Sequence, residues 1–249
     1  MSVRVGVVVF PGSNRDVDAL SALATAGADP VRLWHEQATL DGAAAIIVPG
    51  GFAYGDYLRA GAIARFSPIM RAVAAFAADG GLVLGICNGF QVLAEAGLVP
   101  GALLRNRGLR FVSREVRIVP ERLDTPFTGA CDGRPMRMPV AHGEGCFYAD
   151  DASLAALEAG SQVLFRYARA DGSRAGDEDD RANPNGSLHA IAGVSNGAGN
   201  VAGLMPHPEA AVDAVTGSDE GLPIIRSLVG AASVRATAAG PVPVAGAVR

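Results

Sequence analysis

Residues 3–10, Val3-Arg4-Val5-Gly6-Val7-Val8-Val9-Phe10, form an almost wholly apolar run that Pro11-Gly12-Ser13-Asn14 cuts off. A strand covered on one face alternates apolar with polar residues. A run that does not alternate is buried on both faces, as in the middle of a parallel sheet. Parallel neighbours need crossovers long enough to hold a helix, and the next segments supply them. Residues 16–26 read as a helix closed by Gly27, and residues 30–34 and 43–48 as strands, the second stopped by Pro49-Gly50-Gly51. Residues 69–78 read as an amphipathic helix leading into a strand that starts at Leu82. This order predicts an α/β fold, a doubly wound, mostly parallel sheet flanked by helices.

The middle of the chain changes character. Residues 110–119, 136–141 and 162–168 read as shorter strands, some alternating, which predicts extra short antiparallel strands there. Residues 171–181 carry five Asp or Glu and read as a solvated loop. Residues 188–195 and 200–204 return to sheet-like patterns, and residues 217–228 carry a final helix. Residues 229–249, rich in Ala, Gly, Pro and Val, show no amphipathic period and are expected to be a disordered tail. A single domain over residues 3–228 follows.

Composition removes several function classes. The 21 basic residues, all Arg, face 25 acidic ones for a net charge of −4, so nothing favours nucleic acid or an anionic membrane as partner. The absence of Lys excludes Schiff-base chemistry. The apolar runs are too short to span a bilayer and Met1-Ser2-Val3-Arg4-Val5 has no secretory core, so a cytoplasmic enzyme is expected. Three cysteines without C-x-x-C spacing argue against a zinc site or a disulfide framework, and no metal site is expected. Cys131 and Cys146 read as inert thiols.

Cys87 has a different setting. Leu82-Val83-Leu84-Gly85-Ile86-Cys87-Asn88-Gly89-Phe90-Gln91 reads as a buried strand, a tight turn and the first turn of a helix. A thiol there feels the positive end of the helix, which favours thiolate. The free N–H groups of the first turn can hold an oxyanion. Gly85 and Gly89 flank it as in a G-x-nucleophile-x-G elbow. A base is available in Met205-Pro206-His207-Pro208-Glu209, where the two prolines hold the segment extended and Glu209 can orient the His207 imidazole. The Pro49-Gly50-Gly51-Phe52 turn follows a buried strand, at the edge where open α/β sheets place their sites. The Gly51 N–H can there join the Asn88 N–H as an oxyanion donor. A second base, a substrate-lining role and a structural role are all open to His142. His35 and His189 have no assigned role, and Asn183-Pro184-Asn185-Gly186 reads as a turn.

Gly85-Ile86-Cys87-Asn88-Gly89-Phe90-Gln91 together with His207-Pro208-Glu209 resembles the triad-type (class I) glutamine amidotransferases, whose fold is flavodoxin-like. A finer resemblance, to the glutaminase subunits of phosphoribosylformylglycinamidine synthases, rests on longer runs. These are Phe10-Pro11-Gly12-Ser13-Asn14, Gly50-Gly51-Phe52-Ala53-Tyr54-Gly55-Asp56, Leu104-Arg105-Asn106, Ala141-His142-Gly143-Glu144-Gly145 and Asn183-Pro184-Asn185-Gly186-Ser187. The resemblance implies that Cys87 attacks the side-chain amide of L-glutamine, His207 shuttles the proton and Glu209 orients it. It implies Gly51 and Asn88 as oxyanion donors, and Gly51, Gln91, His142 and Glu144 against the bound glutamine. Ammonia would pass to a separate synthetase subunit that uses ATP and Mg2+, with a third small subunit in the complex and no cofactor in this chain. The residues alone leave open a class I glutaminase serving another synthetase, and a non-catalytic regulatory subunit.

Overall fold

The computed structural model describes residues 2–215 and 217–238. Along the chain it runs β1 (Arg4–Val9), α1 (Asp16–Thr25), β2 (Asp29–Trp34), β3 (Ala45–Val48), α2 (Pro68–Ala78), β4 (Leu82–Ile86) and α3 (Asn88–Glu95). It continues through β5 (Ala102–Leu104), β6 (Val112–Pro120), β7 (Met136–His142), β8 (Cys146–Tyr148), α4 (Asp151–Ala159) and β9 (Val163–Ala168). The last elements are β10 (Ile191–Ser195), β11 (Val201–Leu204) and α5 (Leu222–Ala238).

Nine strands form one sheet in the order β2-β1-β3-β4-β11-β10-β9-β6-β7. The first five are mutually parallel, and each later neighbour is antiparallel to the one before it. The apolar run is β1, buried from Val5 to Val8 between two parallel partners. From β1 the chain crosses to β2 on one side, and from β3 to β4 on the other. Right-handed crossovers in opposite directions place α1 and α2 on opposite faces, which is what double winding means. The expected short strands β6, β7 and β9 belong to this same sheet, and β7 alternates buried and half-buried residues along its length.

Several details differ from the sequence expectation. The final helix starts later and runs further than residues 217–228, so residues 229–238 are helical and the folded unit extends to Ala238. Its buried residues explain why: Leu228, Val229 and Ala232 continue the helical stripe begun by Ile224 and Ile225, and Ala favours the helix throughout. The rest of the expected tail, residues 239–249, lies outside the described residues. Leu188–Ala190 is a turn rather than part of a strand, because His189 and Ala190 take φ values of 51° and 53° that no strand allows. The helix α4 has no counterpart in the sequence expectation, although its start is marked: Asp150 Oδ1 accepts a hydrogen bond from Ser153 N at 2.7 Å. The β5–β8 pair, a separate two-stranded sheet, is equally unexpected. Among the described residues no helix is long and apolar enough to cross a membrane.

Candidate active site

The carboxyl ends of β1, β3, β4 and β11 lie at one edge of the sheet. Because β4 is paired with β3 on one side and β11 on the other, Cys87 emerges between the Gly50-Gly51 turn and the His207 segment. Residues 120 positions apart in sequence therefore meet by strand order alone.

Cys87 occupies a strained elbow, with φ 50° and ψ −106°. A non-glycine residue in such a conformation costs on the order of 1–3 kcal/mol and persists only where its surroundings fix it. Its N–H donates to the Leu204 carbonyl at 2.8 Å, and its own carbonyl accepts from Gln91 N at 3.1 Å. The flanking glycines are dictated by packing. A Cβ on Gly89 would stand 1.8 Å from the Val48 carbonyl oxygen, and one on Gly85 would stand 2.7 Å from the Gly89 carbonyl oxygen. The helix that follows Cys87 thereby packs directly on the backbone of β3 and β4.

His207 is tethered through its N–H to the Pro139 carbonyl of β7 at 2.9 Å. Its Nδ1 lies 2.6 Å from Glu209 Oε1, and both side chains are buried. Burial by itself would lower the imidazole pKa. The Glu209 carboxylate and the neighbouring Cys87 sulfur outweigh that and hold His207 up at about 10. Among the described residues His207 Nε2 makes no hydrogen bond to nitrogen or oxygen, and Cys87 Sγ lies 3.8 Å from the Ala141 carbonyl oxygen. An imidazole with one nitrogen on a buried carboxylate and the other free beside a thiol can move a proton to and from sulfur.

Gly50, to which the sequence alone assigns no role, abuts the same ring: a Cβ there would come within 2.7 Å of His207 Cε1. The Gly50 carbonyl accepts from Arg15 N at 3.2 Å, which fixes the orientation of the Gly50–Gly51 peptide. Gly51 itself lies against the backbone of Ser13, 2.7 Å from where its Cβ would be, as the Ser13–Gly51 bridge requires. Asn88, at the start of α3, has a backbone N–H beyond the reach of intrahelical carbonyls. Its side chain is occupied: Oδ1 accepts from Ala53 N at 2.9 Å, and Nδ2 donates to Gln91 Oε1 at 2.9 Å and to Asp56 Oδ1 at 3.1 Å. Gln91 in turn donates to the Glu144 carbonyl, so both ends of its amide are engaged within the protein. Glu144 Oε2 accepts from Ala60 N at 3.4 Å, and Oε1 lies 3.8 Å from Arg105 Nε. Burial, opposed by the Asn88 hydrogen bond and reinforced by Glu144, pushes Asp56 up to about 6.

Around the His142 turn lies a layer of buried amides. Asn106 donates to the His142 carbonyl at 2.8 Å and accepts from Gly145 N at 3.0 Å, clasping the His142–Gly145 turn. Ser187 Oγ accepts from Phe147 N at 3.0 Å, and Asn183 ties both main-chain groups of Ser187. Asn185 donates to Tyr167 OH at 2.9 Å and contacts His142 Nε2 at 3.2 Å. Burial, then the charge of His207, lowers His142 to about 3, so this ring is neutral. By composition 183–186 is a plain turn; yet two asparagines and a serine within five residues are polar groups that, once buried, must bond something.

The other histidines bond elsewhere. His35 Nδ1 meets Tyr54 OH at 2.8 Å, and His189 Nδ1 meets Glu158 Oε1 at 3.1 Å. Burial pushes Cys131 up to about 11 and Cys146 upward as well. Among the described residues no group of three or more His, Cys, Asp or Glu could hold a metal.

The model of the CobB/CobQ-like glutamine amidotransferase domain matches residues 2–221. The phosphoribosylformylglycinamidine synthase subunit PurQ of Rubrobacter xylanophilus is 58% identical over 93% of this chain and 100% of that protein. The PurQ subunit of Salinibacter ruber is 56% identical over 94% of this chain and 99% of its own length. A chain in the structure of PurLQS from Thermotoga maritima superposes with a TM-score of 0.80 and 42% identity, covering 92% of this chain and 99% of that one. A putative GMP synthase subunit from Thermoplasma acidophilum, with a TM-score of 0.60 and 15% identity over 94% and 96% of the two chains, shares the fold.

Proposed function

Since the chain belongs to the CobB/CobQ-like glutamine amidotransferase family, we propose that it is the glutaminase subunit of a phosphoribosylformylglycinamidine synthase. The observation that carries the chemistry is the buried His207–Glu209 pair beside a thiol on a strained strand-to-helix elbow. The observation that carries the pathway is the match, over nearly full length, to proteins named PurQ.

In this reading the Cys87 sulfur attacks the side-chain amide carbon of L-glutamine. The carbonyl electrons move onto oxygen, where the backbone N–H groups of Gly51 and Asn88 receive the negative charge. His207, held protonated by Glu209, gives its proton to the departing nitrogen. The C–N bond breaks, ammonia leaves, and a glutamyl thioester remains on Cys87. His207, now neutral, takes a proton from water as water attacks the thioester; glutamate departs and the sulfur regains its starting state. Gln91, His142 and Glu144 wall the glutamine pocket. Gln91 acts through its bond to the Glu144 segment, since its amide is already engaged at both ends.

Ammonia then serves a separate synthetase subunit, which carries ATP and Mg2+ and converts formylglycinamide ribonucleotide to the amidine; a third small subunit completes the assembly, in the cytoplasm. The solved PurLQS assembly of Thermotoga maritima, one chain of which resembles this protein, supports that composition. The test is Cys87→Ala in the reconstituted complex. Synthesis from glutamine should vanish while synthesis from added ammonium persists. Glutamine-dependent turnover surviving the substitution would sink the mechanism, and failure to complement any synthetase subunit would sink the pathway.

A further inference from the structure

The Asn183–Ser187 segment enters the proposed chemistry nowhere, yet its central amide touches the ring of His142, whose neighbour Ala141 lies against Cys87. Asn185 Oδ1 accepts from Ser187 N at 3.1 Å and from Ser187 Oγ at 2.8 Å. A backbone N–H can only donate, so the amide cannot be turned round, and Nδ2 is the end that faces His142. His142 Nε2, 3.2 Å away, must therefore accept. A neutral imidazole has one proton, which then resides on Nδ1. That Nδ1 is buried and has no hydrogen-bond partner among the described residues, an expensive state for a donor unless something else uses it. The nucleophile is adjacent, since the carbonyl of the preceding residue, Ala141, contacts Cys87 Sγ at 3.8 Å. Asn106 on the His142 carbonyl and Gly145 over the ring, where a Cβ would fall 2.2 Å from Nε2, hold the imidazole in place.

We propose that Asn185 is a positioning residue that locks His142 as a neutral Nδ1–H donor in the Cys87 pocket. Of the two imidazoles near the nucleophile, only His207 then has a ring nitrogen that can exchange a proton with sulfur, and the acid–base group is unique. The donor on His142 suits the oxygen of the glutamyl group while it is attached to Cys87, a third hydrogen bond beside the two backbone ones. This assignment rests on Cys87 and His207 being nucleophile and base. The titratable and charged groups around the His142–Asn185 pair include His207, whose charge acts on the ring, Cys87 beside Ala141, Tyr167 on Asn185, Arg107 and Cys146 flanking residues 185–186, and Glu144 two residues along. Burial and the charge of His207 both keep the ring neutral.

The experiment is nitrogen NMR of the full chain labelled in its four histidines, with the His142 signals assigned through His142→Gln. The lock predicts a protonated Nδ1 and a bare Nε2 on His142 from pH 5 to 9. Asn185→Asp replaces the donor by a carboxylate, so His142 should become protonated on both nitrogens across that range. In the reconstituted complex the same variant should lose glutamine-dependent synthesis by about tenfold or more, the scale of one hydrogen bond to a charged group, with ammonium-dependent synthesis unchanged. A wild-type His142 protonated on Nε2, or titrating within pH 5–9, overturns the proposal even if the variant does not fold. An Asn185→Asp spectrum matching the wild type overturns it as well. The tautomer is read without substrate, so this outcome is separate from that of the Cys87→Ala test.

Discussion

Glu209 Oε1 lies 2.6 Å from His207 Nδ1 with both side chains buried, and the pair reverses the usual effect of burial on an imidazole. Desolvation alone would make His207 a weaker base; the carboxylate and the Cys87 sulfur together hold it protonated to about pH 10.

Glu209→Gln keeps the volume and removes the charge. Glutamine-dependent synthesis should fall by roughly 10³- to 10⁴-fold, the scale seen when a triad loses its orienting acid, while ammonium-dependent synthesis is retained. The pair also links stability to pH. The folded pKa of His207 is raised above its unfolded value of about 6.5, so its stabilising contribution is complete below that value and fades as pH rises through about 10. Urea unfolding of wild type and Glu209→Gln should differ most at pH 6 and converge towards pH 10. A gap that widens with pH would contradict the pairing.

Two glycines of the site should fail in different ways. In Gly50→Ala the new methyl meets His207 Cε1 at 2.7 Å, and the ring must shift off Cys87. We expect kcat for glutamine to fall roughly 100-fold, as for other displacements of about an ångström, with a folded protein. In Gly89→Ala the methyl meets the Val48 carbonyl oxygen at 1.8 Å, part of a buried strand that cannot yield. That variant should be insoluble or grossly destabilised. Circular dichroism beside the activity assay separates the two, and a well-folded, active Gly89→Ala would refute the packing argument.

The contrast shows what the sequence could and could not disclose. Cys87 with its glycines, and His207 with Glu209, were legible because each group is local: a strand, a turn and residues two apart. The parallel half of the sheet was legible because runs such as Val5–Val8 do not alternate. The extension of α5 was missed because Gly and Ala diluted a stripe that runs through Leu228 to Ala232. The roles of Asn106, Asn183 and Asn185 were hidden for a different reason. Each is a loop residue by composition, and only the meeting of three distant segments around the His142 turn makes it a buried partner. Gly50 was overlooked because its neighbour across the gap, His207, is far away in sequence.

Asp56 shares the sign of the His207 pH dependence, but its variant should gain stability where Glu209→Gln loses it. Burial, with Glu144, raises its carboxyl to about 6, above the ordinary 3.8. Between those two values the folded chain holds a proton that the unfolded chain releases, so stability falls as pH rises through that window and stays lower above it. Asp56→Asn keeps an oxygen for Asn88 Nδ2 and removes the charge. Relative to wild type the variant should gain stability between pH 4 and 6 and hold the gain at pH 7.5, as measured by urea midpoints. A difference that does not change with pH would show that Asp56 is ionised and solvated throughout.

The elbow itself carries a cost that can be measured. Cys87 holds φ 50° and ψ −106°, where an L side chain is strained and glycine is not. Cys87→Ala and Cys87→Gly both remove the sulfur and should both abolish glutamine use. They differ in the strain alone, apart from the freer unfolded chain of the glycine variant, which favours Ala at ordinary positions by about 0.5–1 kcal/mol. At this position the order should invert, with Cys87→Gly the more stable by about 1 kcal/mol after that entropy is subtracted from the strain relieved. For a domain of this size that is a rise in Tm of roughly 2–4 °C over Cys87→Ala. If Cys87→Ala melts higher, the nucleophile is not held in a strained conformation, and its exposure to substrate must come from the fold around it instead.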